Sequence, residues 1–220
     1  GGPSLAAHPT SRALSTRNCG VTLTLMDITI RNGRGSDGGA IESYGPVTVT
    51  NSTIADSTAT DDLGGGILAG SAVTVTDSQI IGNTADHSAG NRPNGPGTIV
   101  NSTIADNTAA GGGAIGAVGG ADVTLTNSTV TGNQADGVFA GGSVSITHST
   151  IADNRYVNIT SGEELIAFGS VIADPGAGYS NCNIGTTTTS TGYNHATDSS
   201  CGLTGTGDTQ DGGDPQLGPL

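Results

Sequence analysis

The sequence contains no lysine and no tryptophan, and only four tyrosines and two phenylalanines occur among its 220 residues. Six basic residues stand against 19 acidic ones, which gives a formal net charge of −13. A chain this acidic is repelled by phosphate backbones and by anionic lipid headgroups. Nucleic acid and anionic membrane surfaces are therefore disfavoured as partners, and a large aromatic core is excluded.

Long apolar runs are also missing, so the sequence predicts no membrane-spanning segment. Apolar residues make up 33% of the chain, which is low for a globular protein, and glycine occurs 38 times. This composition suits a narrow coil, in which only every second residue of a strand faces the interior.

A repeat runs through most of the chain, and its clearest copy is Val47-Thr-Val-Thr-Asn-Ser-Thr-Ile-Ala-Asp56. One apolar position of this copy recurs at intervals of 21 to 26 residues, at Ile30, Ile54, Ile80, Ile104, Val130, Ile151 and Ile172. A period in this range is typical of a solenoid, in which each unit stacks only on its neighbours.

Valines alternate with threonines within each copy, and this period of two predicts β-strands. We expect an all-β protein, a parallel β-helix of about seven coils with three sides per coil, over residues 19–174. The third side is predicted to begin with glycines, as in Gly38-Gly-Ala-Ile41. Residues 1–18 are expected to form an irregular N-terminal segment or cap, and residues 175–220 a C-terminal cap.

One polar position follows the first strand of each copy and is predicted to form a corner. Asparagine and aspartate suit such a corner, because they tolerate left-handed backbone and bond to nearby main-chain groups. Stacked side chains of this kind also bond to one another. The predicted corner ladder consists of Asp27, Asn51, Asp77, Asn101, Asn127 and His148.

Outward-facing hydroxyls form a candidate binding face. We expect two parallel ranks on neighbouring coils, roughly 4.8 Å apart up the stack and about 6.7 Å apart along a strand. The first rank is Thr24, Thr48, Thr74, Thr98, Thr124 and Ser145, and the second is Thr50, Thr76, Thr126 and Thr147. Such a grid resembles the ice-binding face of β-helical antifreeze proteins, although threonine is also a common outward residue of strands.

The residues favour a non-catalytic protein, and we assign no catalytic or metal-binding residue. Asp56, Asp106, Asp153 and Asp174 recur at one position of the repeat, which indicates a role in a turn. The histidines show no metal-ligand spacing. Clustered carboxylates in turns can bind calcium, which remains the weaker alternative because no Asp-x-Asp-x-Asp spacing occurs. Polysaccharide lyase or hydrolase activity is a further alternative, with five non-recurrent candidates: Asp61, Asp62, Asp86, Glu163 and Glu164.

Two segments are predicted to depart from the repeat. Residues 84–96 replace the expected glycine-led strand and form the most irregular excursion. Residues 155–164 bring Arg155 and Tyr156 close in sequence to Glu163 and Glu164. Either a salt-bridged turn or a small carbohydrate-contacting patch accounts for this second segment, and the turn is favoured.

The repeats resemble those of bacterial right-handed parallel β-helix proteins, including the polymorphic outer-membrane-protein-like repeats. The tail resembles the end of the helix in the "choice-of-anchor Q" family, on Gly192-Tyr-Asn194, Cys201-Gly-Leu-Thr204, Gly207-Asp208 and Asp214-Pro-Gln-Leu-Gly-Pro-Leu220. This resemblance implies a right-handed helix in a secreted or surface-displayed protein.

The same resemblance, together with the shared glycine-rich segment, predicts a disulfide between Cys182 and Cys201 that closes the C-terminal cap. Such a bond implies an oxidising compartment, with an extracellular or cell-surface location. Cys19 is then left over, and a buried free thiol is expected there. The favoured function is a stalk, an adhesin-like binding module or an assembly subunit, with self-association, a carbohydrate, a host surface or ice as the partner.

Overall fold

The computed structural model describes residues 4–6, 14–17, 20–61 and 63–218. It shows parallel strands stacked into three sheets and no helix in these ranges, which confirms the predicted parallel β-helix. About eight turns are stacked, one more than the seven anchors predicted, because residues 182–196 add strands to all three sheets. Cys19 and Asp62 lie outside the described residues.

The nine-stranded sheet carries the recurring isoleucines and is called the anchor sheet. Ile30, Ile54 and Ile80 lie in register on neighbouring coils, and each is fully buried. Its strands are Ser4–Ala6, Thr29–Arg31, Thr53–Ala55, Gln79–Ile81, Thr103–Ala105, Thr129–Thr131, Thr150–Ala152, Val171–Ala173 and His195–Ala196.

The eight-stranded sheet carries the alternating valines and threonines and is called the threonine sheet. Val47 and Val49 face the interior and are buried, whereas Thr48 and Thr50 between and after them face outward. Its strands are Leu23–Met26, Val47–Thr50, Val73–Thr76, Gly97–Val100, Val123–Thr126, Val144–Thr147, Leu165–Phe168 and Thr188–Gly192.

The eleven-stranded sheet follows glycine-rich corners and is called the glycine sheet. Gly38, Gly64 and Gly112 have φ values of 57°, 65° and 68°, so glycine is favoured at these corners, as predicted. The strands are Leu14–Thr16, Arg34–Gly35, Ile41–Ser43, Thr58–Ala59, Ile67–Ala69, Thr84–His87, Asn91–Pro93, Thr108–Ala117, Gln134–Ala140, Ile159–Ser161 and Cys182–Ile184.

The prediction that residues 84–96 leave the coil is wrong. This segment forms two strands of the glycine sheet, and Asn91 lies in register between Ile67 and Ile115. Ser88 takes the corner position of Gly64 and Gly112, with a φ of 54°. The coil thus tolerates a serine and an asparagine where the other copies have glycine and isoleucine, and the sequence pattern alone hid this equivalence.

The C-terminal segment closes the last coil. Cys182 and Cys201 form the predicted disulfide, and Cys201 and Leu203 are buried against the hydrophobic interior. Beyond them, Gly212 N–H donates to Ala196 O at the edge of the last strand of the anchor sheet, and Leu217 then lies against the outer face of that sheet. The same region therefore covers one end of the solenoid and part of one side.

Candidate functional site

The threonine sheet presents a regular outward face made of two ranks of hydroxyl-bearing residues. Thr48 pairs with Thr24 and Thr74, and Thr50 pairs with Thr76, each directly in register on the neighbouring coil. The register continues without a bulge through Val144–Thr147. The structure therefore places the predicted ranks in parallel rows on six consecutive coils. We call this surface the threonine face, and its residues are exposed or half-buried.

The hydroxyls of the threonine face are not used by the fold. The threonines concerned are Thr24, Thr48, Thr50, Thr74, Thr76, Thr98, Thr124, Thr126 and Thr147, and no hydrogen bond joins any of their side chains to another described group. An adjacent row of serines differs, because Ser52 Oγ donates to Thr50 O and accepts from Ile28 N–H. Of these two rows, it is the threonine hydroxyls that are left to meet solvent or a ligand.

Apolar residues interrupt and end the threonine face. Met26 at the first coil is 60% exposed, and Val100 interrupts the second rank in the middle. Beyond Thr147 the two ranks continue with Ile166 and Phe168, which pair in register with Ser145 and Thr147. The face thus passes from hydroxyls to apolar groups at the seventh strand of the sheet.

The predicted corner ladder is present, and its members all have left-handed backbone. Their φ values lie between 47° and 55°, and all six side chains are exposed. Asn51 Nδ2 donates to Asp27 Oδ1 at 2.6 Å, and Asn101 Nδ2 donates to Asp77 Oδ1 at 3.0 Å. Asn127 Nδ2 donates to Asn101 Oδ1 at 3.3 Å, so the side chains are joined in pairs or short runs. His148 instead contacts the ring of Phe168.

The recurrent aspartates occupy a second left-handed corner. Asp56, Asp106, Asp153 and Asp174 have φ values of 50° to 55°, and Gly82 and Gly132 take the same corner in the coils between. Glycine and aspartate share the ability to adopt this backbone, which explains why they alternate. These carboxylates therefore have a role in the turn.

The described non-recurrent acids do not converge on one place. Asp61 follows the strand Thr58–Ala59, and Asp86 lies within the neighbouring strand Thr84–His87 of the glycine sheet. Glu163 and Glu164 follow the strand Ile159–Ser161 at the corner before the threonine sheet, where they accept hydrogen bonds from Ser143 and Thr189. Burial raises the pKa of another acid, Asp136, although hydrogen bonds from Val157 and Thr160 lower it in part.

The predicted grouping of Arg155 and Tyr156 with the glutamates is replaced by an aromatic contact. Tyr156 packs edge-on against Tyr179, with ring centroids 5.1 Å apart, and the Arg155 guanidinium lies 5.2 Å from the centre of the Tyr156 ring. The strand Ile159–Ser161 lies in the chain between this contact and the glutamates. Arg31, Arg34 and Arg92 lie on coils other than that of Arg155, so they do not cluster with it.

A shallow groove follows the first corner, between Asp27, Asn51 and Asp77 on one side and the outward residues of the anchor sheet on the other. Within the residues that the structure describes, no group of three or more His, Cys, Asp or Glu side chains is arranged to hold a metal ion. The described part also contains no helix long and apolar enough to cross a membrane.

A buried asparagine ladder was missed by the sequence analysis. Asn83 Nδ2 donates to Asn107 Oδ1 at 3.1 Å, Asn107 Nδ2 to Asn133 Oδ1 at 3.0 Å, and Asn133 Nδ2 to Asn154 Oδ1 at 2.9 Å, and all four residues are fully buried. The signal was present, because each of these asparagines directly follows the second corner of its copy. The polar groups of this ladder hold neighbouring coils together and leave the interior without unpaired amides along this row.

No protein-family model matches the chain, and no curated protein is significantly similar to it. The fold and the geometry of its faces are therefore what a functional proposal has to rest on.

Proposed function

We propose that this chain is a non-catalytic, secreted or cell-surface β-solenoid that acts as an adhesin-like binding module through its threonine face. The observation that carries the proposal is the set of unused hydroxyls on six consecutive coils in register. Rigid, evenly spaced donors and acceptors lose little conformational entropy when they meet a ligand with a regular surface. The disulfide in the cap supports an oxidising location.

Two features favour the threonine face over the other sides of the solenoid. The outer face of the anchor sheet is partly covered by Leu217 and Gly218, and alanines such as Ala105 and Ala152 contribute to it. The C-terminal end is closed by Cys201 and Leu203. This closure disfavours a filament built by stacking both ends, so a binding module is preferred to an assembly subunit.

Isosteric substitutions test the proposal. Thr48→Val, Thr74→Val and Thr124→Val together remove three hydroxyls but keep β-branched side chains of the same shape. The matched control removes three outward hydroxyls from the anchor sheet, with Thr53→Val, Thr103→Val and Thr150→Val. The measurement is depletion of the protein from solution by insoluble neutral polysaccharides, crystalline cellulose and chitin.

We expect the threonine-face variant to adsorb at least tenfold less than the unsubstituted protein, and the control to adsorb equally well. Equal adsorption of the two triple variants would show that the threonine face is not the binding face. If the unsubstituted protein and both variants fail to adsorb to cellulose and to chitin, the proposal that this protein binds polysaccharide is contradicted.

Ice binding is the second candidate function, favoured by the parallel hydroxyl ranks. If the threonine face binds ice, the purified protein shows thermal hysteresis, and Thr74→Lys abolishes it because a charged side chain breaks the flat surface. Met26 and Val100 interrupt the second rank, which is why this candidate comes second. Ordinary freezing behaviour of the unsubstituted protein excludes ice binding and leaves the binding-module proposal in place.

The non-catalytic part of the proposal has its own test. Hydrolysis of a glycosidic bond needs two carboxylates on opposite sides of one bond, in environments that separate their pKa values. Reducing-end and unsaturated-product assays on pectin, alginate and neutral glycans, with and without calcium, are expected to show no turnover. Turnover that disappears on Asp61→Asn or Glu163→Gln would overturn the proposal.

A further inference from the structure

Tyr193 is the most exposed of the large hydrophobic side chains in the described part of the chain, with 66% of its surface exposed. It occupies the first corner of the last coil, where its N–H donates to Thr206 O as the N–H of His148 donates to Phe168 O. Its φ is 59°, in the left-handed region, where other coils place aspartate, asparagine, glycine or, at His148, histidine. A tyrosine here carries a backbone cost that its own burial does not offset. A residue type that is poorly suited to its backbone conformation is expected mainly at positions where function requires it.

Tyr193 belongs to an aromatic cluster that also contains Phe168 and His148. The centroids of Phe168 and Tyr193 are 6.4 Å apart with an interplanar angle of 82°, and those of His148 and Phe168 are 5.1 Å apart. The backbone of Gly207 supports the Tyr193 ring, since a Cβ at this glycine would lie 2.8 Å from Tyr193 Cδ1. The rings are thus held in place while Tyr193 stays open to solvent.

The aromatic cluster continues the threonine face. Phe168 pairs in register with Thr147, so the cluster lies at the end of the second hydroxyl rank. In the first rank, Ile166 lies between Ser145 and Thr189. A ligand that extends along the threonine face meets hydroxyls first and aromatic rings afterwards. Such a ligand needs polar groups at its edges and an apolar surface on its faces.

The charges around the cluster disfavour an anionic ligand. The carboxylate of Glu164 lies beside Thr189, and that of Asp208 accepts hydrogen bonds from Ser190 and Asn194 at the adjoining strand. His148 is the only other titratable side chain in the cluster besides Tyr193 itself. A protein partner is also disfavoured, because three rings supply far less than the roughly 800 Å² per partner that a stable protein interface buries.

We propose that His148, Phe168 and Tyr193 form a stacking subsite for a neutral polysaccharide that lies along the threonine face. The apolar C–H face of a sugar ring packs on the exposed ring of Tyr193, because aromatic faces are apolar and carry partial negative charge. Hydroxyl groups of the following sugars bond to the threonine ranks. This inference rests on the binding-module proposal and names its ligand class.

The substitution Tyr193→Asn separates binding from folding. Asparagine occupies the equivalent corner at Asn51, Asn101 and Asn127, so the variant is expected to fold with equal or higher stability. Cellohexaose and chitohexaose are the neutral probes, and a galacturonate hexamer is the anionic control. Binding is measured by titration calorimetry and by tyrosine fluorescence, which is not masked because the chain has no tryptophan.

We expect at least one neutral hexaose to bind the unsubstituted protein, Tyr193→Asn to weaken that binding at least tenfold, and the anionic hexamer to bind more weakly than the neutral probe. Tyr44→Ser is the matched control, because Tyr44 is an exposed tyrosine at another corner, and it should leave binding unchanged.

Three results overturn the subsite. These are no binding of either neutral hexaose at millimolar concentration, equal affinity of Tyr193→Asn and the unsubstituted protein, and a preference for the anionic hexamer. If the threonine-face variant loses adsorption to polysaccharide and Tyr193→Asn adsorbs fully, the subsite is rejected and the binding-module proposal stands. Loss in Tyr193→Asn alone keeps the subsite and rejects the threonine ranks as the binding face.

Discussion

At the scale of single residues, Asn91 stands out in the interior of the solenoid. It lies in register between Ile67 and Ile115, it is fully buried, and neither polar atom of its side chain has a hydrogen-bond partner among the residues that the structure describes. An unpaired buried amide lowers stability, because it loses water and gains no hydrogen bond.

Asn91→Ile is therefore predicted to raise the free energy of unfolding, by about 1–3 kcal/mol. The reverse change in the neighbouring coil, Ile67→Asn, serves as the control and should lower it. Urea denaturation followed by far-ultraviolet circular dichroism measures both. A decrease for Asn91→Ile would indicate that the amide is paired in solution, for example with a buried water.

Asp208 is a carboxylate that accepts several hydrogen bonds within the C-terminal cap. Its burial raises the pKa, but hydrogen bonds from Ser190, Asn194 and Gly205 outweigh this effect and leave the pKa below its ordinary value of 3.8. A carboxylate with a lowered pKa in the folded state contributes stability above its unfolded pKa. That contribution is lost as the pH falls below about 4 and through the folded pKa.

For Asp208→Asn we predict lower stability than the unsubstituted protein at pH 7 and a smaller loss of stability on acidification. The physical reason is that the amide does not titrate and cannot replace every accepted hydrogen bond. Thermal melts between pH 2 and pH 7 provide the measurement. If the two proteins lose stability in parallel over this range, Asp208 is not the group responsible.

At the scale of elements, two asparagine rows serve different purposes. The outer row, which includes Asn101, lies at left-handed corners and is exposed. The inner row, which includes Asn107, is fully buried, and Asn107 Oδ1 accepts from both Asn83 N–H and Asn83 Nδ2. Backbone conformation explains the outer row, and hydrogen bonding between coils explains the inner one.

The two rows are predicted to respond differently to truncation. Asn107→Ala removes the acceptor of two buried Asn83 donors. It also removes the hydrogen bonds that Asn107 Nδ2 donates to Asn133 Oδ1 and Ile80 O, and it should therefore cost about 3 kcal/mol or more. Asn101→Gly keeps a residue suited to left-handed backbone and should cost less than about 0.5 kcal/mol. Equal costs in chemical denaturation contradict this division of roles.

At the scale of the whole molecule, the solenoid is nearly one-dimensional, because each coil contacts only its neighbours. The last coils hold fewer apolar side chains, and residues 197–218 contain one bridge and no strand of their own. The Cys182–Cys201 bond therefore acts on the end of the stack where packing contributes least.

Replacing both cysteines, with Cys182→Ser and Cys201→Ser, is predicted to destabilise the cap by about 3 kcal/mol, since it opens a loop of this length in the unfolded chain. For a chain of this size the melting temperature of the C-terminal end should fall by about 6–12 °C. Hydrogen exchange followed by mass spectrometry should show faster exchange in residues 182–218 and little change before residue 126. Uniform loss of protection would show that the solenoid unfolds as one unit.

Much of this architecture could be predicted from the repeat. The alternation of Val47, Thr48, Val49 and Thr50 was sufficient to assign the strand and its inward side, since a period of two has one structural meaning in a half-buried strand. The positive φ at Asn51 also followed from residue type. Residues 84–96 were misjudged because Asn91 and Pro93 do not resemble the Ile67 and Ala69 with which they align.

The sequence by itself determined that the chain is an all-β coil with asparagine and aspartate corners, because these features are local and repeat at each turn. The tertiary structure decided which polar groups are consumed by the fold and which remain open. The buried row of Asn107 and the unused hydroxyl of Thr74 differ in their neighbours on adjacent coils, at separations of 24 or 26 residues. Only the tertiary structure shows that Tyr193 has left-handed backbone and that its ring lies beside Phe168 at the end of the threonine face. Contacts between distant residues depend on how the coils stack, and the order of residues along one coil does not contain them.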